Sequence, residues 1–142
     1  MATPTDEVIL CHFPKEGTVA RIPITLKDYK TLKDGTFLND IIVDFYLLLL
    51  KNNLGEESVN VHLFSAMFFK SLREPRQYVS EVNAFEKDLS LTSAEKRFFR
   101  VERWTKNVNL FEKKLVVIPC CENKHWFLVL AFMPGFVKVS LR

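Results

Sequence analysis

Apolar residues recur at helical spacing most clearly between positions 38 and 50. Leu38, Ile41, Ile42, Phe45, Tyr46, Leu49 and Leu50 share one stripe, and Leu47 and Leu48 widen it until little polar face remains. The pattern predicts a mostly buried helix over about Asp40–Asn52. Asn39 can cap it by accepting from the free N–H groups of the first turn, where the charge of Asp40 suits the helix dipole. Asn53 and Gly55 stop it. A second helical pattern covers His62–Leu72, with Leu63, Phe64, Met67, Phe68 and Leu72 facing inward and Pro75 ending it. Thr92-Ser93-Ala94-Glu95 has the form of a capping box and opens a third helix through Phe98, Phe99 and Val101 toward Trp104. Thr25 and Asp28 repeat that form before a short helix over Lys27–Leu32, closed by the Asp34-Gly35 turn.

Strand patterns lie at the two ends. Val8–Phe13 reads as a short strand or extended segment, and Pro23 restricts Arg21–Thr25 to an edge or to coil. Residues 1–20 as a whole read as a flexible or extended N-terminal segment. Lys114–Pro119 and His125–Phe132 are continuous apolar runs, which predicts two central strands buried on both faces, with Cys120 to Lys124 as the turn between them. Little chain follows them, so the sheet is expected to be underbuilt for its apolar content. Residues 76–91 have weak periodicity and read as a loop or irregular insert, and Leu110–Phe111 as a linker.

Composition adds little to this and excludes more. The 142 residues suit one domain, and 48% hydrophobic with 26% charged is ordinary for a globular chain. No run of 18 apolar residues appears, and no basic start followed by an apolar stretch marks a secretory signal. Three cysteines do not make a disulfide framework. The net charge of +3 says nothing of nucleic acid, but it is unevenly spread. Residues 1–60 carry 6 basic and 9 acidic groups, and residues 61–142 carry 14 and 8. The densest basic stretch, Glu95–Lys114, reads as a solvated helix face or as a surface for an acidic partner, protein or nucleic acid.

His125 is the sharpest candidate for chemistry. It opens an apolar strand behind a polar turn, where a sheet can hold an imidazole with its tip toward a cleft. On residues alone a water-satisfied turn histidine remains the competing reading. His12 and His62 read as structural. Cys120 and Cys121 are poorly sited as nucleophiles, because their turn leads into a strand rather than a helix N-terminus. Adjacent cysteines also make poor joint zinc ligands, so no metal or other cofactor is expected.

The chain resembles the SUMO-specific cysteine proteases, which process ubiquitin-like proteins. The matching stretches are Phe37-Leu38-Asn39-Asp40-Ile41-Ile42-Val43-Asp44-Phe45-Tyr46, Phe64-Ser65-Ala66-Met67-Phe68-Phe69-Lys70-Ser71-Leu72, Arg100-Val101-Glu102-Arg103-Trp104-Thr105, and Val116-Val117-Ile118-Pro119 through His125-Trp126-Phe127-Leu128. They cover about residues 20–135. Phe37, where many relatives have Trp, and an insertion before Arg100 resemble the branch that trims SUMO chains. The resemblance implies a papain-like α+β fold in which helices pack on a mixed sheet, with 21–142 a partial catalytic domain. It implies His125 as catalytic base and acid, Phe37 and Trp126 as walls of a tunnel for the substrate's diglycine tail, and Asp40 near that tail. It implies SUMO or SUMO conjugates as partners, with no nucleic acid and no membrane, and a location in the nucleus or the cytoplasm.

In that family an orienting Asp, an oxyanion-stabilising Gln and the nucleophilic Cys all follow the His strand. This sequence has no Asp after Asp88, no Gln after Gln77 and no Cys after Cys121. The expectation is an N-terminal half of the catalytic domain, inert by itself. The alternative is a non-catalytic SUMO-binding module.

Overall fold

The computed structural model describes residues 4–15, 21–75 and 84–136. The chain divides into two compact units, residues 1–58 and 59–142.

In the first unit, β1 (Ile9–Phe13) pairs antiparallel with β2 (Ile22–Thr25), and Pro23 sits opposite His12 in a sheet of two strands, where every strand is an edge. Thr25 caps α1 (Leu26–Lys30) in a reciprocal box with Asp28. Asn39 caps α2 (Asp40–Asn52), its side-chain oxygen accepting from the Ile42 N–H at 3.0 Å. Its amide nitrogen meanwhile donates to Asp28 Oδ1 at 2.7 Å, so one side chain ties the starts of two helices. Burial alone would push the Asp28 carboxyl up. The bonds from the Thr25 hydroxyl and N–H and from Asn39 outweigh it and hold the group below the usual carboxylate range.

The boundaries of α2 match the sequence pattern, but its burial does not. Ile42 is its one buried residue, most of the stripe is half-buried, and Tyr46 and Leu50 are exposed. A repeated apolar pattern fixes which face seeks cover, not how much cover the chain supplies.

In the second unit, β3 (Val61–Leu63) runs parallel to β4 (Leu115–Glu122), and β4 runs antiparallel to β5 (His125–Phe132), giving the order β3-β4-β5. His62 and Leu63 therefore lie in a strand, not in the helix predicted over His62–Leu72. That helix is shorter: α3 spans Met67–Arg73. Glu74, before Pro75, is extended, as the following ring requires. The three-residue β3 is held by Leu115, Val116 and Val117, far away in sequence, which local periodicity cannot register. The segment 76–83 of the expected insert lies outside the described residues. Ala84–Lys87 forms a single helical turn, α4. The capping box of Thr92 and Glu95 is present and opens α5 (Ser93–Thr105). Leu110–Glu112 is a 3-10 turn.

The core of this unit is Phe64, Phe68, Val101 and Val116, flanked by Leu72, Trp104, Leu110 and Ile118. Phe64 and Phe68 stack at 3.8 Å, and Trp104 meets Phe68 edge-on at 5.9 Å. Beside the core, Arg100 donates to both carboxylate oxygens of Glu86 and to the carbonyls of Leu72 and Arg73, joining α5, α4 and the end of α3. The Arg100 bonds hold the Glu86 carboxyl below its ordinary value, against the opposing effect of burial. A depressed folded-state value means that this contribution is fully present above the ordinary carboxyl value of 4.5 and lost as pH falls through the folded one. Arg100→Ala is expected to cost about 3 kcal/mol at neutral pH, because it strands a largely buried carboxylate. The penalty should shrink as the pH falls and Glu86 takes up a proton. Urea unfolding over that fall in pH checks both parts, and an Arg100→Ala chain with unchanged stability at pH 7 would refute them.

The strand β4 is central, as the apolar run predicts, with Val116 and Val117 buried on opposite faces. Pro119 falls beyond the last β3 pair, Leu63 with Val117, on the side of β4 that faces β3, so its missing N–H breaks no ladder bond there. The strand β5 differs from expectation. Among the described residues it is an edge, and Leu128, Val129, Leu130 and Phe132 are exposed on both its faces. The expected turn over Cys120–Lys124 is also shorter. Cys120, Cys121 and Glu122 continue β4, and only Asn123 and Lys124 turn, both with positive φ, 51° and 64°. That is the two-residue hairpin whose twist matches its strands. Lys124 bears a left-handed backbone that glycine adopts without cost. Lys124→Gly should therefore raise stability by about 1 kcal/mol, read as a shifted urea midpoint at unchanged slope; a lowered midpoint would contradict it.

Candidate functional site

The β4–β5 hairpin delivers His125. As the first residue of β5, directly after the tight turn, it is exposed and lies opposite Glu122 in the register. Pairs facing each other across an antiparallel ladder project to one side, so Glu122, His125, Cys120 and Phe127 share a face, and Cys121 and Trp126 share the other. The His125 ring lies nearly parallel to Phe127, 6.4 Å between centroids with planes 21° apart. Phe127 meets Phe69 of α3 edge-on at 6.0 Å, and the Arg73 guanidinium lies 5.7 Å above the Phe69 ring. Arg73 also pairs with Glu122. Both side chains are 45% exposed, so the pair adds at most about 1 kcal/mol. What it does add is position: the end of α3 grips the hairpin on the face that carries His125.

The cysteines are now separable. Cys120 is fully buried, its thiol bonds to the Ile118 carbonyl at 3.5 Å, and burial pushes its pKa up. A thiol held protonated inside a sheet is a poor nucleophile. Cys121 is exposed, on the face opposite His125. All three cysteines are free. Among the described residues no group of three or more His, Cys, Asp or Glu is gathered to hold a metal ion.

The remaining residues singled out from the sequence lie as follows. Trp126 is half-buried in β5, beside His125 in sequence and on the other face. Phe37 and Asp40 are in the first unit: Phe37 is 64% exposed just before α2, and Asp40 opens that helix. His12 lies in β1, and His62 packs edge-on against Phe64 at 4.5 Å, a core contact. Sequence reasoning missed Arg73, Glu122 and Phe69 as supports of the hairpin. Phe69 was inside a recognised motif, but 49 positions separate Arg73 from Glu122, and nothing local marks the pair.

No protein-family model matches the chain. Over 137 residues it is 34% identical to Sentrin-specific protease 6 of Mus musculus, which takes in 95% of this chain and 11% of that protein. A solved structure of a de-sumoylating protease superposes with a TM-score of 0.60 at 28% identity, over 80% of this chain and 38% of the other. The C-terminal Ulp1 protease domain, solved in complex with Smt3, the yeast ortholog of SUMO, superposes with a TM-score of 0.54 at 24% identity, over 80% and 41%. The mixed α+β fold matches the papain-like domain topology of those structures. The chain thus spans about a tenth of that curated relative and about two fifths of the solved domains.

Proposed function

We propose that this chain, related over most of its length to the SUMO proteases, is part of a SUMO-specific cysteine protease that removes SUMO from proteins or trims SUMO chains, with residues 21–142 forming part of the catalytic domain. The observation that carries the reading is the His125-Trp126 motif. It falls inside the region of similarity, and its imidazole stands exposed at the start of a strand whose hairpin is held from α3. In this reading His125 takes the proton from a cysteine thiol and later returns it to the leaving amine. The resemblance assigns Phe37, Asp40 and Trp126 to recognition of the substrate tail. By the same resemblance, Phe37 and the insertion before Arg100 favour chain trimming, with the nucleus as the place of action.

In this reading the nucleophile is not among these 142 residues. Cys120 is buried with a raised pKa, and Cys121 projects to the face away from His125. An orienting Asp and an oxyanion-stabilising Gln after His125 are likewise absent from the sequence. The chain by itself is therefore inert, and SUMO binding without turnover is the second reading, favoured by those same cysteine placements. Titration with SUMO by calorimetry, alongside a SUMO–peptide cleavage assay, tests both. Binding without cleavage fits either reading of the isolated chain, and neither binding nor cleavage would sink both.

A further inference from the structure

Asp28 is the one buried charged residue among those described, 8% exposed. A buried carboxylate persists only where its oxygens find donors, and here they find them on two sides. Oδ2 accepts from the Thr25 N–H at 2.8 Å and from the Thr25 hydroxyl at 2.7 Å, both at the start of α1. Oδ1 accepts from Asn39 Nδ2 at 2.7 Å, at the start of α2. Asn39 is used fully as well, since its oxygen takes the Ile42 N–H. The pair is chemically exacting: position 28 must offer two acceptors, and position 39 one donor and one acceptor.

The chain between these two helices is fastened a second time. Thr36 donates its N–H to the Lys33 carbonyl at 3.1 Å, and its hydroxyl lies within bonding distance of the carbonyls of Thr31 and Lys33, at 2.8 and 2.6 Å. Gly35, at φ 76°, makes the turn that allows this. Phe37 and Leu38 are thus a two-residue span between anchors at Thr36 and Asn39, and Phe37 stands 64% exposed on that span. An exposed aromatic ring on a fastened backbone gives up little freedom when a partner covers it, which is the property a recognition residue needs.

We propose that Asp28 is a positioning residue: through Asn39 it sets the backbone that presents Phe37 to the C-terminal tail of SUMO. This rests on the reading above that gives Phe37 to recognition of the substrate tail, and Asp28, being buried, acts at one remove from it. The chemistry of the pair makes the idea sharp. Asp28→Asn leaves one acceptor oxygen between donors on both sides. Whichever way the amides of residues 28 and 39 then turn, two donors face each other, at Thr25, at Ile42 or between the amides themselves. Adding Asn39→Asp reverses the pair. The amide at 28 then donates to a carboxylate at 39, whose other oxygen still takes the Ile42 N–H, and Asp caps a helix as well as Asn does.

The test is a double-mutant cycle on the whole chain, read by calorimetry with SUMO, beside backbone amide relaxation by NMR without it. Phe37→Ala should weaken SUMO binding about 30-fold, and Asp28→Asn about tenfold. In the Phe37→Ala background Asp28→Asn should cost nothing further, because its effect passes through that ring, whereas a merely structural loss would add. Asp28→Asn with Asn39→Asp should restore affinity. Asn39→Ser, which keeps the helix cap and cuts the link to Asp28, should repeat the tenfold loss, so that a folding failure of Asp28→Asn does not decide the matter. Without SUMO, the order parameters of the Phe37 and Leu38 amides should be about 0.85 in the native chain and fall below about 0.6 in Asp28→Asn and Asn39→Ser. Affinity unchanged by both variants where Phe37→Ala weakens binding, losses that add, or amides as rigid in the variants as in the native chain overturn the proposal. A native chain that binds no SUMO, or binds it indifferently to Phe37→Ala, fails the reading of Phe37 instead, and the relaxation measurement alone then decides whether Asp28 holds the span.

Discussion

Replacing His125 by Ala should abolish turnover in any chain that joins this sequence to a competent nucleophile. A suitable host joins these residues to a segment that carries the Asp, Gln and nucleophilic Cys implied by the resemblance. In the proposed mechanism the imidazole acts twice in acyl transfer, drawing the thiol proton and then supplying one to the departing amine. The loss in kcat should be on the order of 10⁴-fold or more, with SUMO affinity nearly unchanged. Such a split between binding and turnover identifies a group whose work is in the transition state. An equal loss of affinity would make His125 a contact for the substrate, and retained turnover would remove it from the site. The exposed position of His125 makes a folding defect an implausible source of the effect, and near-ultraviolet circular dichroism checks that directly.

The second large effect concerns β5. Its register places the N–H groups of Val129 and Ala131 toward β4 and those of Leu128 and Leu130 toward the outer edge, since narrow and wide pairs alternate from the Glu122–His125 closing pair. Exchange in the isolated chain should alternate accordingly, Leu128 and Leu130 exchanging about 100-fold faster than Val129 and Ala131. In β4, Val117 and Ile118 should both be slow, because β3 and β5 flank it. An edge with Leu128, Leu130 and Phe132 exposed is also a template for pairing with another chain. The isolated protein is expected to associate at micromolar concentration, and Leu130→Lys, a charge on that edge, should suppress it. Uniform slow exchange through β5 in a monomer would mean that the edge is covered within this chain, and would contradict the half-domain expectation.

The elements legible in the sequence are those whose causes are local. The start of α2 follows from Asn39 and Asp40, and the start of α5 from Thr92 and Glu95, because a cap and its partner lie within three residues of each other. His125 could be singled out because a polar residue opening an apolar strand is conspicuous without any fold. The misreadings all involve partners far apart in the chain. His62 and Leu63 look helical until Val116 and Val117 pair with them. Cys120 and Cys121 look like a turn until Phe127 and Trp126 extend the ladder past them. The apolar run of β5 announces a strand but not which of its faces will be covered, since cover comes from other elements. For the same reason the grip of Arg73 on Glu122 left no trace in the sequence.

The most direct test of the protease reading is reaction with SUMO carrying a C-terminal vinyl sulfone, which forms a covalent adduct only with an activated, correctly placed thiol. The 142-residue chain should form none, the chain joined to a segment carrying the missing Asp, Gln and Cys should form one on the added cysteine, and His125→Ala should slow that adduct severely. An adduct on Cys120 or Cys121 in the isolated chain, or one in the joined chain that is indifferent to His125, would contradict it.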